Sequence, residues 1–346
     1  MLPNSRHAAG FALAILLCTA PATPESPPRE PADVTLHFAF FSDLETNLND
    51  RLIAAGKARH QGKPELVGND TEAACLEDLP PAERTAWDLA VDYYAKIVSP
   101  VEFYEREQSV LRLGLAGIVA DHEWDEPNER RLVRIARGFR EAAAPAYETC
   151  IWPTRDQANR RWIAAVTGLM AEHEEPLAAR LEKVYQTPWP DLPIPVDVVE
   201  TANWAGANTL NLVPTGCHIL MSSSNPGYQD RAALEMVFHE AAHFLTGRRT
   251  PLSTALKAAT ERLGNPFRGD LKHAVNFYLT GEVVRRTLEE AGEPAYIPYL
   301  YAQGLYEGGT FRRAAENTLP AYLDGERSLA EAIEALPGAL EQGTMD

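Results

Sequence analysis

Residues 230–245 read DRAALEMVFHEAAHFL, and they decide how the rest of the chain is read. Leu234, Val237, Phe238 and Leu245 recur at spacings of three and four, the period of one helix face. Asp230 predicts the N-cap and Gly247 the stop. Within this helix stands His239-Glu240-Ala241-Ala242-His243. Residues four apart lie one turn apart on the same face, so the two imidazoles can meet one ion. Glu240 lies about 100° round the helix from His239 and can flank that ion without binding it. A general base for a metal-activated water must stand there.

The texture changes on the N-terminal side of this helix. Pro188, Pro190, Pro193 and Pro195 break a helical pattern, and 196–200, 209–213 and 217–222 read as short strands. Helices are expected over 34–56, 83–98, 105–120, 128–143, 154–173 and 177–185, with a loop over 60–80. Phe38, Phe41, Leu44, Leu48 and Leu52 supply the stripe of the first. Beyond 253 the chain is largely helical, with breaks at 264–269, 292–298 and 319–325. The fold class expected is α+β, predominantly helical, with a short mixed sheet. The division expected is a helical N-terminal region over 23–153 and a catalytic-type domain over 154–346.

Composition sets outer bounds. The chain has 346 residues, 45% of them hydrophobic, and a net charge of −17. So acidic a surface repels phosphate backbones, which argues against a nucleic-acid partner. Residues 1–22 read as a signal peptide, with Arg6 as the positive end, an apolar run over 10–17 and Ala20-Pro21-Ala22 at the cleavage point. The chain is therefore expected to be exported, periplasmic or secreted, after cleavage near Ala22. Cys18 leaves lipidation open. No later stretch has the 18 or so uninterrupted apolar residues of a membrane span. Of the three remaining cysteines, Cys75 and Cys150 share the N-terminal half and are the expected disulfide. Cys217 reads as a buried small hydrophobe.

The three short strands followed by the HExxH helix resemble the zincin metallopeptidases, over roughly 155–290. The resemblance implies a zinc-dependent hydrolase acting on peptide or protein substrate. One Zn2+ would sit on His239 and His243, with Glu240 as general base, and an edge strand beside the helix would pair with extended substrate. The wider chain is similar to exported bacterial proteins that add no activity. Metzincins place a further His where this chain has Arg249, which excludes that subclass. Gluzincins take a Glu from a later helix, and the usual spacing falls on Arg262 or Leu263, neither of which can serve. Glu261 is one residue short.

Glu282 is the preferred third ligand, which makes the resemblance gluzincin-like. It sits in a helix over 271–288 among Val275, Phe277, Leu279, Val283 and Val284, where an unpaired carboxylate is costly. Gly281 before it suggests a close backbone approach, which Ala241 and Ala242 would permit. A Glu282–Arg286 helical ion pair is the plainer alternative. Tyr278 shares the face of Glu282, and either Tyr278 or His273 could stabilise an oxyanion. His273 lies about 180° from Glu282, so an unbroken helix aims only one of them at the ion. A hydrogen-bonded structural role for His273 is equally open.

The remaining polar residues read as structural. His37 and Asp43 flank an apolar run, His122, His173 and His218 show no ligand spacing, and Asn203 with Trp204 reads as a loop anchor. Two other functions stay open. One is a binding protein that keeps the zincin fold without activity. The other is a di-iron carboxylate protein using Glu240-x-x-His243 and Asp270-x-x-His273.

Overall fold

The computed structural model describes residues 29–63, 70–100, 106–115, 127–202, 205–213, 216–262, 264, 269–307 and 310–340. The fold is α+β and mostly helical. Its sheet has five strands: β1 (Asp33–Val34), β2 (Phe38–Phe41), β3 (Ile194–Val199), β4 (Ala207–Val213) and β5 (Gly216–Ser222), in the order β1-β2-β3-β5-β4. The β2–β3 and β3–β5 pairs are parallel, and the two outer pairs are antiparallel. The sheet is therefore mixed, and β4 is an edge strand.

Two strands come from a segment that reads as helix. Phe38 and Phe40 are buried while Ala39 and Phe41 are half-buried, a period of two. Phe38 opposes Ile194 and Phe40 opposes Val196 in the parallel pair. An apolar run this short satisfies either period, and pairing partners about 150 residues away decide between them. The helix α1 (Leu44–His60) begins after it, where Asp43 accepts a bond from the Thr46 N–H at 2.8 Å. The expected loop over 60–80 contains α2 (Asp70–Asp78).

Helices α3 (Pro81–Tyr93), continued by a π-turn Tyr94–Val98, α4 (Arg106–Leu115) and α5 (Pro127–Cys150) pack with α1 around a core that includes Leu48, Leu52, Trp87, Val91 and Tyr147. Cys75 and Cys150 are bridged, with Cα atoms 5.5 Å apart. The bridge ties α2 to the end of α5. The helix α6 (Trp152–Tyr185) runs unbroken through Pro176 where two segments are expected.

The main core lies between the sheet, α6, α7 (Asp230–Leu245) and the later helices. These are α8 (Pro251–Arg262), α9 (Gly269–Glu290), α10 (Tyr299–Ala302), α11 (Thr310–Leu323) and α12 (Leu329–Leu340). Phe38, Phe40, Val196, Val198, Ile219 and Met221 all turn one face of the sheet toward this core. The opposite face meets α1, whose Asn47 donates to the Val198 carbonyl at 3.0 Å. Among the described residues no helix is long and apolar enough to cross a membrane. The leader and its cleavage point, with Cys18, fall outside the described residues, as do His122, Asn203 and Trp204.

Candidate metal centre

The helix α7 is buried along nearly its whole length because it runs between the sheet and α9. Leu234, Val237, Phe238 and Leu245 are fully buried, as their spacing requires. Gln229, not Asp230, is the N-cap, and Asp230 takes a positive φ of 51° as the helix opens. Aspartate tolerates that region better than most residues. Thr246 caps the other end, with Gly247 next.

His239 is fully buried and His243 is half-buried, and both rings point toward α9. There His273 meets them. The three ring centroids form a nearly equilateral triangle with sides of 5.1, 5.2 and 5.1 Å. One nitrogen from each ring lies within 4.8 Å of the other two. Burial and neighbouring positive charge push all three toward the neutral form. Burial, then His243 and His273, hold His239 well below its ordinary range. His243 falls to about 3 and His273 to about 4, through burial and then nearby positive charge, with Lys272 a part of it in both. Neutral imidazoles keep the lone pairs that a cation needs.

Glu282, the expected third ligand, is not brought to the two histidines. Its carboxylate is bound by Arg285 at 2.9 Å, with Arg286 at 3.8 Å, and it takes no part in the cluster. The helix α9 is unbroken, so only one of His273 and Glu282 can face α7, and it is His273. Three contacts set that rotation. The Phe277 ring stacks on His239 with centroids 3.8 Å apart. Asn276 Nδ2 donates to the His239 carbonyl at 3.2 Å, and Tyr185 Oη lies 2.5 Å from Asn276 Oδ1. Gly281 does mark a close approach, but to different neighbours from those expected. A Cβ there would lie 3.0 Å from Glu235 Oε1 and 2.9 Å from the Pro298 Cβ.

Glu235 sits one turn before His239. Its Oε2 accepts from the Tyr296 hydroxyl at 2.7 Å and the Tyr299 N–H at 2.9 Å. Burial raises this carboxyl to about 7, against the pull of those two bonds. Glu240 is buried too, and burial raises it to about 7 while Thr209 draws it down. Thr209 is on β4, so the edge strand lies directly against Glu240. Tyr278 goes elsewhere. Its charged and phenolic neighbours are Glu282, Tyr301, Glu316 and Arg286, and it does not join the histidines.

The cluster fits a metal ion by a simple measure. His239 Nε2 and His273 Nε2 are 3.3 Å apart. Two tetrahedral bonds of about 2.0–2.1 Å separate their nitrogens by about 3.3–3.4 Å. Two neutral imidazoles holding these nitrogens face to face, in so buried a setting, are well satisfied by a shared cation. The donors are three nitrogens with no carboxylate among them. Thr209, Asn276, Phe277 and Glu235 have no motif that announces them. Only Glu235, an acid on an otherwise apolar helix face, carries a signal in the sequence. Comparison with family models, curated proteins and solved structures finds no match to this chain.

Proposed function

We propose that this chain is a zinc-dependent hydrolase, with a peptide bond as its target. The observation that carries the reading is the triangle of neutral imidazoles with a buried carboxyl, Glu240, next in sequence to one of them. His239, His243 and His273 would hold the ion. Three imidazoles suit zinc among the common divalent ions, and a set without carboxylates does not suit a carboxylate-bridged iron pair. Zinc bound there would supply a Lewis acid and lower the pKa of a water at its open position.

The protein's own residues do the proton work. Glu240 takes a proton from the attacking water and passes it to the leaving amine. Burial favours the protonated carboxyl, while Thr209 and a bound cation favour the ionised one, and a carboxyl balanced between them serves in both directions. The edge strand β4 lies on the side of Glu240, and main-chain pairing along such an edge binds an extended peptide without reading its side chains. That placement, and the three strands preceding the HExxH helix, are what support a zincin-like reading over the other metal-dependent hydrolases.

The test is hydrolysis of a broad set of quenched fluorescent peptides by zinc-loaded protein, beside the Glu240→Gln variant. Cleavage by the first and not by the second supports the reading. Equal rates for both, or no cleavage of any peptide by protein with full zinc, would sink it and favour a binding protein that keeps the site without turnover.

A further inference from the structure

Away from the histidine triangle, α6 and the segment after α9 bring a second set of donors together. Glu172 and His173 on α6 and Glu293 beyond α9 each present one ligand atom, and these three atoms lie within 4.8 Å of one another. His173 is 3% exposed and makes no side-chain hydrogen bond among the described residues. Its Nε2 is 4.0 Å from Glu293 Oε1, too far for a hydrogen bond. Two bonds of about 2.1 Å to one ion separate their ligand atoms by about 3–4 Å, depending on the angle. The other oxygen of Glu293 is held by Arg231 at the start of α7, so Oε1 is the one near His173.

An imidazole nitrogen from a buried side chain and two carboxylate oxygens, brought together from α6 and the segment after α9, make a mixed donor set of the kind a divalent ion takes. A cation between them would take one atom from each. We propose that Glu172, His173 and Glu293 form a second site, for a divalent first-row ion. One nitrogen with two carboxylate oxygens suits zinc first and manganese next. The site stands apart from the histidine triangle and does not depend on the hydrolase reading.

Its position gives it a structural task. Glu293 is three residues before Tyr296, and Tyr296 and Tyr299 together hold Glu235, one turn before His239. Arg231 joins Glu293 to the first turn of α7. An ion on His173 therefore clamps α6 to the segment that buttresses the metal-binding helix.

The test counts zinc. Full-length protein is stripped with a chelator, titrated with zinc in excess magnesium, desalted and analysed for metal. Two zincs per chain are expected in the unaltered protein, one in His173→Ala, and one in His239→Ala/His243→Ala. Glu172→Gln changes an exposed side chain, leaves the fold intact, and should weaken the second site at least tenfold. Excess zinc should raise the Tm of the His239→Ala/His243→Ala protein, and no longer do so once His173→Ala is added. No zinc at all, one zinc that vanishes with His239→Ala/His243→Ala, or two zincs kept by a folded His173→Ala protein would each overturn the proposal.

Discussion

The Thr209 hydroxyl lies 2.6 Å from Glu240 Oε2 and 2.7 Å from the carbonyl oxygen of the same residue. It has one proton to give. With the carboxyl neutral, Glu240 donates to Thr209 Oγ1, and the hydroxyl proton goes to the carbonyl. With the carboxyl ionised, the hydroxyl can turn to the carboxylate. A single side chain on the edge strand therefore accommodates both states of the base.

Glu240→Gln should keep its metal and lose about 10²–10⁴-fold in turnover, because it removes proton transfer and leaves the imidazoles alone. Thr209→Val should act more gently. A base must be ionised, so kcat/KM should rise with pH through the carboxyl's titration and then level off. Burial sets that titration near 7 in the metal-free chain, and a bound cation draws it lower. Thr209 favours the ionised form, so removing its hydroxyl should move the rising limb to higher pH. A pH profile that stays in place would show that the contact is only structural.

His273→Ala and Glu282→Gln should separate cleanly. Loss of an outer partner of a metal ligand costs about 10–100-fold in affinity, so loss of the ligand His273 should cost at least the upper end. Glu282→Gln removes an ion pair with Arg285 and Arg286 that is partly exposed, worth about 0.5 kcal/mol. Zinc affinity in that variant should match the unaltered protein. Competition with a chromogenic chelator reads both.

Glu235 should make stability fall as pH rises. Its carboxyl is near 7 when folded, against 4.5 for the ordinary group. The folded state holds this proton more tightly, so its contribution is complete below about 4.5 and is lost as pH rises through about 7. The difference is about 3 kcal/mol between those limits. Asp50, raised to about 6 chiefly by burial, adds loss in the same direction. Urea unfolding of Glu235→Gln and the unaltered protein at pH 5, 6, 7 and 8 isolates the Glu235 share. The gap between the two should shift in favour of the variant with rising pH. A gap constant across the range refutes the assignment.

The disulfide closes a loop of 75 residues. The chain-entropy estimate for such a loop is about 4.5 kcal/mol, an upper figure for the loss in Cys75→Ser/Cys150→Ser. Denaturation with and without reductant should show a lower midpoint in the reduced protein. The double variant should show no response to reductant.

What could be read before the structure was what depends on neighbours in sequence. The pairing of His239 with His243 follows from one turn of helix, and the helix itself from its apolar spacing. The opposition of His273 and Glu282 was also legible, since it needs only the angle per residue. Which of them faces α7 was not. That choice is the rotation of α9 about its own axis, and it is set by Phe277, Asn276 and Gly281 meeting residues 37 to 46 positions earlier. The segment Phe38–Phe41 failed for the same kind of reason. Its partners in β3 lie beyond the six helices α1 to α6, and nothing local distinguishes its two periods.

The long helix α6 has a mechanical consequence. At about 1.5 Å per residue it is about 50 Å of continuous rod. Trp152 at one end packs against the N-terminal helical core, and Tyr185 at the other is buried in the sheet core and bonded to Asn276. Asn276 in turn holds the backbone of His239. A rod seated in both cores cannot let go of one and stay in register with the other. The two cores should therefore melt together, and amides in α1 and α7 should exchange through one shared opening event rather than two.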